Sequence, residues 1–344
     1  MSGQPFRRLG LPLRSILGLP WKRPRGRRSW TRSATRRWSG SGGSPQACRR
    51  PCWPSGATLV EATAGNTGLG LALVAAARGY RLACVMPEKM SMDKRVALAS
   101  LGASLVITPN VPPDDERNFR NVARRLARER GWFHTDQFAN PANPRIHEST
   151  TGPEILTQVD GPIGAFVAGA GTGGTLTGVG RFLRSHSPGV RIVLADPIGS
   201  RLAHLVSTRH PDVDSPYQVE GIGGSVLPEV LDLTILDEAE RVSDEESIET
   251  TMRLWREEGL FVGPSSGTAV AAALRVASRP ELAGPVVVVL ADSWDRYFSK
   301  PWLSWHPDPG AGRGGGTRHP RRERNGPSDT VVRNSEVRVP EPPF

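Results

Sequence analysis

The sequence predicts an α/β protein built on parallel sheet, and three observations carry that prediction. Between residues 57 and 302, short apolar runs of strand length alternate with amphipathic stretches of helix length. The apolar runs, such as Ala165-Phe-Val-Ala-Gly-Ala170, are continuous, as in strands covered on both faces. Small, glycine-rich turns repeatedly join a run of the first kind to one of the second.

The elements follow in order. Thr58–Val60 is a short buried strand, and the Ala/Leu-rich helix Leu69–Arg78 after it stops at Gly79. Strand Leu82–Met86 precedes helix Asp93–Leu101, and strand Ser104–Thr108 precedes helix Arg117–Arg130. That helix sets Phe119, Val122 and Leu126 on one face and Arg and Glu on the other, as a surface helix does. Strand Ala165–Ala170 feeds helix Leu176–Ser185; strand Arg191–Ala195, helices Asp244–Glu258 and Thr268–Ala277, and strand Val286–Leu290 complete the series. The polar, turn-rich run Asp136–Asn143 reads as a loop. The sequence carries no convincing internal repeat.

Charge separates this middle zone from the ends. The net charge is +10, yet residues 1–56 hold thirteen Arg/Lys and no acid, and residues 303–344 hold seven Arg against five Asp/Glu. The zone between them is mildly acidic. Both ends are rich in Arg, Gly and Pro and aperiodic, the composition of disordered extensions. The N-terminal one also suits an organelle transit peptide, faintly a twin-arginine signal at Arg7-Arg8, or a basic nucleic-acid contact without a recognisable fold motif. Cys48, Cys52 and Cys84 make neither a disulfide framework nor a paired metal motif, so no metal is expected. No apolar run reaches the roughly 18–20 residues that cross a bilayer, and the expected compartment is the cytosol.

The turns carry the chemistry. Gly171-Thr-Gly-Gly-Thr175 lies between a buried strand and a helix, where unpaired backbone N–H groups meet the positive end of the helix dipole. That is a phosphate cradle, and it is neither a dinucleotide fingerprint nor a Walker loop. Glu61-Ala-Thr-Ala-Gly-Asn-Thr-Gly68 is a second turn of small hydrogen-bonding groups, and Gly263-Pro-Ser-Ser-Gly267 a third before a helix. Glu220-Gly-Ile-Gly-Gly224 is ambiguous alone.

Together, Thr63–Thr67, Gln137–Asn143, Gly171–Thr175, Glu220–Gly223 and Ser265–Gly267 occur in an order and spacing that resembles the cysteine synthase/cystathionine β-synthase family, fold-type II pyridoxal-phosphate enzymes. The likeness runs from about Ala57 to Trp302, about 70% of the chain. It implies a catalytic domain over 57–302, with a smaller mobile subdomain (about 57–143) and a larger one (about 144–302), each on a parallel sheet with helices on both faces. By the same resemblance, Gly171, Thr172, Gly173, Gly174 and Thr175 hold the cofactor phosphate, Asn66 meets the pyridine 3′-oxygen, and Ser265 meets the pyridine nitrogen. Thr63, Ala64, Gly65 and Thr67 clamp the amino acid's carboxylate with help from Gln137, and Gly221, Ile222 and Gly223 face the mouth. Ala64 stands where many members have serine. The implied reaction is β-replacement on serine or O-acetylserine with sulfide or homocysteine, in a homodimer, with no nucleic acid and no membrane. The turn Gly171–Thr175 favours β-replacement over a serine dehydratase. Pro87–Ser91, Asp196–Ser200 and Glu220 lean toward the cystathionine-forming branch.

One part of the family pattern is missing. The family's Schiff-base lysine lies about two dozen residues upstream of the Thr-x-Gly-Asn-Thr loop, in a Ser-x-Lys-Asp/Asn context, where it anchors the cofactor and moves a proton. The four lysines here, Lys22, Lys89, Lys94 and Lys300, all lie outside that context, and Lys89 and Lys94 are expected on a surface turn and helix. Counting back lands among Ala34–Trp38, where arginine cannot substitute because it stays protonated. Acid-free Arg/Trp/Ser/Pro text is what a GC-rich gene gives when read out of frame, so a frameshift or mis-assembled start is the expected cause. An impaired β-replacement enzyme is therefore the leading reading. A non-catalytic amino-acid-binding relative and a serine dehydratase-like lyase are the alternatives.

Overall fold

The computed structural model describes residues 56–303 apart from Ala64, Pro211 and Asp212. The expectations for residues 1–55, with Lys22, Cys48 and Cys52, for Ala64, and for the tail from 304 onward lie outside the described residues.

Two four-stranded sheets, both wholly parallel, organise the chain. The first contains β1 (Thr58–Ala62), β2 (Arg81–Pro87), β3 (Ser104–Thr108) and β4 (Phe133–His134), in the order β3-β2-β1-β4. The second contains β5 (Ala165–Gly169), β6 (Arg191–Pro197), β7 (Glu238–Val242) and β8 (Val286–Val288), in the order β7-β6-β5-β8. Sequence reading misses β4 and β7, both edge strands. One is two residues long, and the other, Glu-Ala-Glu-Arg-Val, has no apolar run.

Helices cover both faces of each sheet, which is why the inner strands are mostly apolar, with Glu61 in β1 and Asp196 in β6 as buried exceptions. On the second sheet, Leu176, Val179 and Leu183 of α6 (Gly174–His186) pack with Phe166, Ile192 and Leu194 on one face. Ala269, Ala272 and Val276 of α9 (Pro264–Ala277) pack with Val167, Val193 and Ala195 on the other. On the first sheet, α1 (Asn66–Arg78) and α2 (Met92–Ser100) cover Leu82, Cys84 and Met86. The apolar face of α3 (Phe119–Arg130), with Val122 buried, covers Val60, Ala83 and Val85. Helix α8 (Asp244–Glu258) lies against α9.

Helices α1, α2, α6 and α9 begin earlier than the sequence suggests, α8 begins where expected, and α3 begins two residues later. Helix α9 starts at Pro264, which suits a first helical position because its missing N–H would be unpaired there anyway. Its N-cap is Gly263, so Ser265 lies inside the first turn and is not the cap. A helical segment also occupies Ala142–Gln158, as α4 (Ala142–Ile146), a π-helical turn (His147–Thr151) and α5 (Gly152–Gln158). The expected loop Asp136–Asn143 is thus helical at its last two residues. Helix α7 (Leu202–Thr208), one of whose faces buries Leu202 and Val206, completes the set and was not expected.

Candidate functional site

Two of the turns predicted to matter, Thr63–Thr67 and Gly171–Thr175, lie at the C-terminal ends of β1 and β5, each the first strand of its sheet in the chain. Thr63, buried, follows β1 and accepts hydrogen bonds at Oγ1 from the amides of Gly65 (3.0 Å) and Gly68 (3.2 Å). It thereby satisfies amides at the start of α1 that have no intrahelical partner. Gly65 caps that helix at φ 133°, a conformation that L side chains rarely adopt.

A chain of hydrogen bonds connects this turn to the other. The Thr67 hydroxyl donates to Gln137 Oε1 (2.5 Å), and Gln137 Nε2 donates to the Ala62 carbonyl (2.6 Å). Asn143 Nδ2 donates to the Gln137 carbonyl (2.8 Å) and to Thr172 Oγ1 (2.9 Å). A cavity of about 330 Å³ is lined by Thr67, Gln137, Asn143, Thr172 and Thr175, with Glu61 and His147. Four predicted residues, Thr67, Gln137, Thr172 and Thr175, from three segments therefore line one cavity. Thr63, Asn66, Gly171, Ser265 and Gly221–Gly223 are not in its lining.

Those others have definite places. Asn66 Nδ2 donates to Asp292 Oδ2 (3.2 Å), and its Oδ1 accepts from Arg296. A Cβ at Gly171 would fall on the Gly221 carbonyl, one at Gly174 on Asn143 Oδ1, and one at Gly173 would lie 2.6 Å from Leu231 Cβ. The turn must be small to sit where it does. Gly223 N donates to the Ala170 carbonyl (2.9 Å), fixing the Glu220–Gly224 loop against the end of β5. Ile222 is buried over Gly169, where a Cβ would lie 2.6 Å from its Cγ2. Ser265 is buried, and the adjacent Ser266 Oγ is buried without a hydrogen-bond partner.

The cavity residues that sequence reasoning gave no role include Glu61, His147 and Asn143. Glu61 is fully buried; burial pushes its carboxyl up to about 7 against hydrogen bonds from Thr135 and the Gln137 amide. An acid inside the apolar strand Thr58–Ala62 was the available signal. His147, lowered by burial, sits between Thr151 Oγ1 (3.0 Å) and Thr175 Oγ1 (3.1 Å) through its two ring nitrogens. The π-turn that aims it has no sequence mark. Asn143 stood in the quoted motif without a role.

The lysines differ from expectation in one respect. Lys94 is 1% exposed, not on the surface, with Nζ 2.8 Å from Glu220 Oε2. Lys89 is exposed, with Nζ 5.4 Å from the Tyr217 ring centroid, and Lys300 also pairs with Glu220. No lysine lines the cavity among the described residues.

The donor set fits the phosphate end of pyridoxal phosphate. It offers a glycine turn opening α6, the hydroxyls of Thr172 and Thr175 on the cavity wall, and helix-start amides that lack intrahelical partners.

Comparison with known proteins agrees. Residues 46–292 match the family described as pyridoxal-phosphate dependent enzyme, starting before the motifs themselves begin. The cysteine synthases of several Staphylococcus aureus strains are 41% identical over 251 residues, covering 73% of this chain and 78% of theirs. The crystal structure of O-ureido-L-serine synthase superposes with a TM-score of 0.67 at 37% identity, covering 76% of this chain and 79% of that one. An alanine-for-lysine mutant of that enzyme, bound to O-ureido-L-serine, gives 0.66 at 38% identity, covering 76% and 78%. Among the described residues no helix is long and apolar enough to cross a membrane. The chain belongs to the pyridoxal-phosphate-dependent enzymes of fold type II, in the cysteine synthase/cystathionine β-synthase family.

Proposed function

We propose that this site is built for β-replacement on serine or O-acetylserine, with sulfide or homocysteine as acceptor, and that the chain as written is impaired in it. The observation carrying the reading is the shared cavity, where Thr67 and Gln137 face Thr172 and Thr175. One turn supplies donors for an amino acid's carboxylate and the other for a phosphate. Thr63, Gly65 and Thr67, with Gln137, bind the carboxylate; Gly171–Thr175 bind the phosphate. Asn66 and Ser265 orient the ring from either side, and Gly221–Gly223 border the mouth. When bound, pyridoxal phosphate would acidify the amino acid's α-C–H, whose electron pair, once the proton is removed, expels the β-substituent. Ser265, a neutral hydroxyl, donates to the ring nitrogen and leaves it unprotonated. The two sheets correspond to subdomains at about 57–143 and 144–302, and a homodimer in the cytosol is the expected setting.

Impairment rests on the lysines. Lys94 is held in a buried ion pair, and among the described residues the cavity wall has no lysine to anchor the cofactor or move a proton. Loss of a positioned acid/base alone costs about 10²–10⁴ in rate. The expected result with the purified chain is phosphate-dependent retention of pyridoxal phosphate, no lysine adduct trapped by borohydride, and no product from O-acetylserine and sulfide. A trapped adduct at Lys22, Lys89, Lys94 or Lys300, or turnover, would overturn impairment. A version carrying a restored Ser-x-Lys-Asp segment upstream of Thr63 should form cysteine or cystathionine. Pyruvate from serine without a thiol would instead mark a dehydratase.

A second reading, an amino-acid-binding protein without turnover, is favoured by one observation. The Thr67–Gln137–Asn143–Thr172 chain is complete without any lysine. The alanine-for-lysine mutant of O-ureido-L-serine synthase likewise holds its amino-acid ligand.

A further inference from the structure

Lys94 lies one turn into α2, where Ser91 Oγ accepts from its amide (3.4 Å). Its four-carbon stem passes under the amino-acid loop: a Cβ on Gly65 would lie 2.7 Å from Lys94 Cδ. Its ammonium ends 2.8 Å from Glu220 Oε2, 3.3 Å from Tyr297 Oη, and 4.5 Å from the Tyr297 ring centroid. Tyr297 donates to Asp292 Oδ2 (2.7 Å), which also accepts from Asn66 Nδ2 (3.2 Å). The loop beginning at Gly65 and Asn66 is thus touched twice, from beneath by the Lys94 stem and from the side through Tyr297 and Asp292.

The other end of the pair belongs to the second sheet. Glu220 opens the loop whose Gly221 carbonyl abuts Gly171 and whose Gly223 amide bonds Ala170. A single buried cation therefore connects the loop after β1 to the loop that supports the turn after β5. Nothing in the reaction uses Lys94 directly. A buried ion pair is weak evidence of net stability, and fixing a particular geometry is an attested use of one.

We propose that Lys94 is a positioning residue: its ammonium, pulled to Glu220, holds Gly65 and Asn66 in the arrangement that receives an amino acid's carboxylate. This rests on the amino-acid reading of the 63–67 loop given above. Lys94→Met keeps the stem and removes the charge, and Glu220 retains Lys300, so no carboxylate is orphaned.

Two measurements on the full chain test it. In hydrogen exchange, Lys94→Met should speed exchange of the 63–68 peptide about tenfold while β5 and β6 peptides stay unchanged, and Lys94→Arg should restore protection. By calorimetric titration with L-serine and O-acetyl-L-serine, Lys94→Met should weaken affinity about tenfold, and adding Glu220→Gln should weaken it little further, because the pair acts as a unit. Unchanged 63–68 exchange, or exchange raised across both sheets alike, overturns the positioning role even if amino acids bind. Absence of binding by the unmodified chain removes the amino-acid reading, and the proposal with it.

Discussion

Glu61 makes stability depend on pH in a direction opposite to that of an ordinary surface carboxylate. Its carboxyl is fully buried and moves from about 4.5 up to about 7. The folded chain therefore holds this proton more tightly than the unfolded one. Between pH 4.5 and 7 the folded state binds more protons, so stability falls as pH rises through that window and is level beyond it. At 1.36 kcal/mol per pH unit, the full effect is about 3 kcal/mol. That corresponds to a fall of about 6–12 °C in Tm for a body of this size. Glu61→Gln keeps an acceptor for Thr135 and the Gln137 amide and cannot ionise. The assay is thermal unfolding of both proteins from pH 4.5 to 8. The variant should match the parent near pH 4.5 and exceed it by several degrees at pH 8. Asp196, raised to about 6 by burial, adds a slope common to both curves, so the difference between them isolates Glu61. Parallel curves across the range would refute the argument.

Gly171→Ala drives a Cβ into the Gly221 carbonyl, and should cost about 1–3 kcal/mol and abolish retention of pyridoxal phosphate, read by urea unfolding and ultrafiltration. Gln137→Ala removes the bonds to Ala62 and Thr67; a loss of about 1–2 kcal/mol and weaker calorimetric binding of L-serine are expected. Phe166→Ala opens the second sheet's core and should cost about 3–5 kcal/mol in a urea titration. Burial, with the Glu61 charge, lifts the Cys84 thiol to about 12, so iodoacetamide should leave the Cys84 peptide unlabelled in the native chain and label it fully in urea.

Much of this architecture was legible in the sequence because parallel strands covered on two faces are mostly apolar. The inner strands β1, β2, β5 and β6 therefore announce themselves, whereas β4 and β7 at the edges owe their pairing to neighbours and not to composition. Helix starts were read late because small and polar residues open them: Asn66, Gly174 and Pro264 look like turn text until the backbone closes around them. In the site, Thr67, Gln137, Thr172 and Thr175 were readable as motifs, while His147 depends on a π-turn. Lys94 had a faint signal, since it lies four residues before the buried Leu98 on the same face of α2. Charge hid it: a lysine in a mixed helix reads as surface until a carboxylate from elsewhere meets it.

The two sheets repeat one permutation, β3-β2-β1-β4 and β7-β6-β5-β8, although the sequence shows no repeat. In each, the first strand to leave the N-terminal side holds an interior position and ends in a helix-opening turn of small residues. Residues of both turns line one cavity. In the reading proposed here each turn receives an anion, so a ligand with one negative end engages one turn, and a cofactor–amino acid pair, negative at both ends, spans the two. Selection then follows from the distance between two charges as much as from the chemistry of either.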